Sequence, residues 1–204
     1  MGVLLAEELG MERFAREVLV LLAANLDTEL DTQDAKWNTL DEELAIALGK
    51  EYIACASDKV LGENYVMGHK PSLIEAPIEK YPNIAVMSYE SFPSSDQGDQ
   101  YFGVTTSLFV ETMVIDGPYK EGLPGQFSEF GEDLVNRKVQ RMTEAINAIV
   151  AANRTLGGVA FEIGTPPRVR ISDCFRRKEN TGSGADYYWQ MARLEYTINK
   201  IAAY

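Results

Sequence analysis

The amino-acid sequence predicts an α+β fold: a mostly antiparallel sheet with a long helix packed on one face, plus N-terminal helices. Three observations carry that prediction. Apolar residues recur at three- and four-residue steps near the start of the chain and again over residues 128–154, the spacing of a helix with one buried face. Residues 84–115 and 186–202 instead alternate with a period of two, as half-buried strands do. Clusters of glycine and proline separate these stretches.

Taken in order, a first helix is predicted over residues 3–24, where Leu4, Met11, Phe14, Ala15, Val18, Leu21 and Leu22 mark one face. The acidic stretch 27–38 shows no such period and reads as a connector. A second helix is predicted over 40–56, capped by Asn38 or Thr39, with Leu44, Ala47, Leu48 and Cys55 turned inward. Residues 58–82 carry Gly62, Gly68, Pro71, Pro77 and Pro82 and are expected to be irregular.

The period then changes. A strand is expected from Ile84 to before Pro93, a polar loop over 94–99, and a long strand over 101–115 with Phe102, Val104, Leu108, Val110 and Val114 on one face. The best helix follows, over 128–154. Val135, Val139, Met142, Ile146 and Ile149 form its stripe, acids occupy its first turns, Arg154 its last, and Gly157 and Gly158 stop it. Val159, Phe161 and Ile163 start a short strand that Pro166 and Pro167 interrupt and Val169 and Ile171 resume. The last strand, 186–202, puts Tyr188, Ala192, Leu194, Tyr196 and Ile198 on one side and Trp189, Arg193, Glu195, Thr197 and Asn199 on the other. The expected organisation is an N-terminal helical region (1–60), an irregular connector (61–82) and an α+β domain (83–204).

Composition narrows the function classes. Hydrophobic residues make up 46% and charged residues 25% of the 204, a globular balance that argues against disorder and against a membrane protein. Acids stand where a secretory signal would carry bases, so export by that route is not expected; Gly2 meets Ala6 where a myristoylation motif wants Ser or Thr. Cys55 and Cys174 are isolated and read as small buried hydrophobes. The net charge of −12 is unevenly placed. Seven acids against Lys36 crowd residues 27–43, whereas Arg168, Arg170, Arg176, Arg177 and Lys178 face only Asp173. Such a chain will not coat nucleic acid as a whole.

A search for chemistry is short. His69 is the single histidine and lies in the irregular region, so a histidine-centred triad or multi-histidine metal site has nothing else to draw on. No phosphate loop, nucleophile elbow or dinucleotide fingerprint is present, and Gly182, Ser183, Gly184 read as a turn. Asp31 with Asp34 and Asp96 with Asp99 could pair for acid-base work or hold a hard cation. Each pair falls in a predicted loop without an apolar wall, and neither has the pattern of a calcium loop. No catalytic residue, cofactor or metal is therefore expected.

With these elements in order, residues 83–204 resemble the tail terminator, or tail completion, proteins of long-tailed bacteriophages. The likeness is one of layout: the hairpin over 84–115, the long helix 128–154, then closing strands at 169–171 and 188–201. The resemblance implies a structural virion protein, assembled in the host cytoplasm, that forms a ring of six at the head–tail joint. The ring caps the tail tube, docks to the head-side connector and lets DNA pass without specific binding. It further implies that Asp96, Asp99, Asp31 and Asp34 line the pore and that Arg168, Arg170, Arg176, Arg177 and Lys178 contact a neighbour. A head–tail adaptor, which would be dominated by helices, and an enzyme of another type, which would show a deep polar pocket, are the alternative readings.

Overall fold

The computed structural model describes residues 11–52, 54–67, 81–93, 101–116, 131–156, 162–164, 166–178 and 186–201. Two helices are present among them, α1 (Met11–Leu48) and α2 (Gly131–Ala152). The described strands are β1 (Tyr65–Met67), β2 (Asn83–Pro93), β3 (Tyr101–Asp116), β4 (Glu162–Ile163), β5 (Arg168–Ile171), β6 (Phe175–Lys178) and β7 (Asp186–Ile201). They form one sheet, antiparallel except where β1 pairs with β2. The α+β architecture expected from the sequence is the one observed.

The hairpin and the closing strand form where the period-two pattern placed them. β2 and β3 pair from Asn83 opposite Glu111 to Pro93 opposite Phe102, with one register shift between Ser88 and Glu90, the mark of a bulge. β3 and β7 then pair without interruption from Tyr101 opposite Ile201 to Asp116 opposite Asp186. The far edge of β7 is served in turn by β6, β5 and β4. Pro166 and Pro167, which lack backbone donors, fall between β4 and β5 as their alternation implied. Between β5 and β6, Ser172 keeps the ladder going, its N–H donating to the Met191 carbonyl at 2.9 Å and its Oγ accepting from the Met191 N–H at 3.1 Å.

Both helices lie on one face of this sheet, α1 over β1 and β2, α2 over β3 and β7. One core cluster joins Phe14, Val18, Leu22, Leu26 and Leu30 of α1 to Val139, Met142, Ile146 and Ile149 of α2, and both to Ile84, Val86, Ala192, Leu194 and Tyr196 of the sheet. On the opposite face of β7, Arg193 and Glu195 are half-buried and Thr197 is exposed, as the alternation predicted. Trp189 departs from that pattern. It is buried, and its ring lies 5.3 Å from that of Phe175.

The N-terminal half of the prediction needs correction. Residues 27–38 are no connector: α1 runs through them as a single helix of 38 residues. Leu22, Leu26, Leu30, Gln33, Trp37, Leu40, Leu44 and Leu48 follow one another at three- and four-residue steps, so one stripe spans both expected helices. The acids interleaved with it mask the stripe in the sequence. Nor does a helix continue to residue 56. Gly49 adopts a positive φ of 64°, the Lys50 N–H reaches the Ala45 carbonyl at 2.9 Å and the Gly49 N–H reaches Ile46 at 3.1 Å, the paired bonds of a Schellman stop. Cys55 is buried as expected, but from the segment after α1. Leu44, Ala47 and Leu48, expected inward, are exposed. The 58–82 region also holds β1, which its glycines and prolines concealed.

Candidate functional site

α2 turns its apolar stripe to the core and leaves Arg137 and Arg141, one turn apart, beside α1. The helices run antiparallel: Trp37 meets Glu144, whereas Asp41 meets Arg137 further along. Arg141 is the centre of the contact and is only 3% exposed. Its Nη1 donates to Asp34 Oδ1 at 2.9 Å and to the Cys55 carbonyl at 2.8 Å, and its Nη2 donates to Asp41 Oδ2 at 2.9 Å. Burial alone would lower the guanidinium's pKa, but the hydrogen bond it donates to Asp34 and the charges of Asp34 and Asp41 hold it above its ordinary value.

The same group of residues draws the segment after α1 back along the helix. Asp34 Oδ2 accepts the Ser57 N–H at 2.6 Å, and Asp34 Oδ1 accepts the Ser57 hydroxyl at 2.9 Å. Asn38 donates to the Cys55 carbonyl at 2.8 Å while its Oδ1 accepts the Cys55 N–H at 3.0 Å and the Tyr52 hydroxyl at 2.7 Å. Two buried backbone groups that no helix or strand serves are thereby satisfied. Trp37 Nε1 donates to Glu144 at 2.6 Å, and Lys138 pairs with Asp58 at 2.6 Å. Burial pushes the Cys55 thiol up, which keeps it neutral and poorly nucleophilic. Burial, then the Asp41 charge, raises the Tyr52 phenol in the same way.

A cavity of about 120 Å³ lies alongside, lined by Trp37, Asp41, Arg137, Gln140, Arg141 and Glu144. Both guanidinium groups on its wall already meet carboxylates: Arg137 meets Asp133 at 2.9 Å and Asp41 at 3.8 Å. The charges there answer one another, so the chemistry of this cluster is to fix the alignment of α1, α2 and residues 50–58.

The residues singled out from sequence are scattered. Asp31 is exposed on α1, 3.7 Å from Lys59. Asp34 is committed to Arg141 and Ser57 and does not present a free carboxylate. Asp96, Asp99 and His69 lie outside the described residues. Arg168 and Arg170 are exposed on β5, opposite Glu195 and Arg193 in the register. Arg176, Arg177 and Lys178 occupy β6 opposite Tyr188, Tyr187 and Asp186, so all five bases fall along one edge of the sheet. The sequence reading missed Arg141, Asn38 and the Trp37–Glu144 pair. A signal did exist: bases four apart at 137 and 141, and acids seven apart at 34 and 41, each match a helix face.

Among the described residues, no three His, Cys, Asp or Glu side chains gather as metal ligands, and no helix is long and apolar enough to cross a membrane. A scan against protein-family models finds no match to the chain, and a search of curated proteins finds none either.

Proposed function

We propose that the chain is a structural virion protein that forms a hexameric ring at the head–tail joint of a long-tailed bacteriophage, capping the tail tube and docking to the head connector. One observation carries the reading: the layout of a long antiparallel hairpin (β2, β3), a 16-residue closing strand (β7) beside β3 and an amphipathic helix (α2) laid over β3 and β7. That layout is the part of the chain that resembles tail terminators. In this reading Asp31, Asp96 and Asp99 stand toward the pore, where carboxylates repel the DNA backbone and keep it from adhering in transit. Arg168, Arg170, Arg176, Arg177 and Lys178 meet a neighbouring acidic surface, a role suited to a charged edge. Asp34, held by Arg141, has no part in the pore.

The test is to remove the chain from the virus that encodes it and image the particles by electron microscopy. Unjoined heads and tails of irregular length are expected. Joined particles with tails of normal length would overturn the proposal.

A further inference from the structure

We draw no further inference here: the strongest candidate, the basic patch on the outer strand β5 where Arg168 and Arg170 stand exposed on the sheet face away from the helices, carries nothing because nothing in the structure shows what covers it.

Discussion

The seam between α1 and α2 has two ends built on different physics. At one end Leu22, Leu26 and Leu30 meet the cluster of Ile146, Ile149 and Val150; at the other Asp34 and Asp41 meet Arg141. Apolar contact rewards area and tolerates a small slide of one helix along the other. A guanidinium with three fixed acceptors is satisfied in one alignment, and a slide by a turn would leave charge buried and unanswered. The apolar end drives the helices together, and the polar end discriminates between registers.

The largest effect is expected where that discrimination is removed. Arg141→Ala removes the buried cation that Asp34 and Asp41 share and should cost about 3–5 kcal/mol in chemical denaturation. A loss below about 1 kcal/mol would mean that water serves the carboxylates and that the polar end does little. Leu26→Ala, at the apolar end, should cost about 2–5 kcal/mol through lost burial and a cavity, without altering how residues 50–58 are held. Limited proteolysis separates the two: cleavage within 50–58 should quicken in the Arg141 variant and not in the Leu26 variant. The smallest effect belongs to the same stripe beyond the body. Leu44→Ala, measured at concentrations too low for association, should stay within about 0.5 kcal/mol of the parent. A cost as large as that at Leu26 would show that the exposed stripe is packed within the single chain after all.

The elements that could be read from sequence are those whose period is uninterrupted. α2 has one wet and one dry face for most of its length and β7 alternates buried with more exposed positions from Met191 to Thr197, and a four-three step or a period of two reveals such elements directly, as it does for β3 in the sequence. α1 was divided in two because Gln33 and Trp37 hold stripe positions that leucine holds elsewhere, while acids crowd between them. The end of α1 was written in Leu48, Gly49, Lys50, a helix stop that the apolar neighbours on either side disguised. The polar cluster lay further out of reach. Arg141 is one of a row of bases and acids on α2, and only the antiparallel docking of α1 turns it into a buried centre with Asp34 and Asp41. A sequence separation of about a hundred residues leaves no local trace of such a pairing. The edge bases were legible as a group because they are near neighbours in the chain, and the sheet registers keep them so.

The interrupted edge along β7 has a consequence for how safely this protein can be concentrated. A 16-residue strand with one continuous open flank would be a template for any other extended chain, and stacking of that kind leads to fibrils. Here three brief strands shield that flank, parted by Pro166, Pro167 and the 172–174 corner, with Arg168 and Arg170 exposed on the middle piece. Among the described residues no strand on that flank exceeds four residues, so a misdirected partner finds only short stretches to zip along.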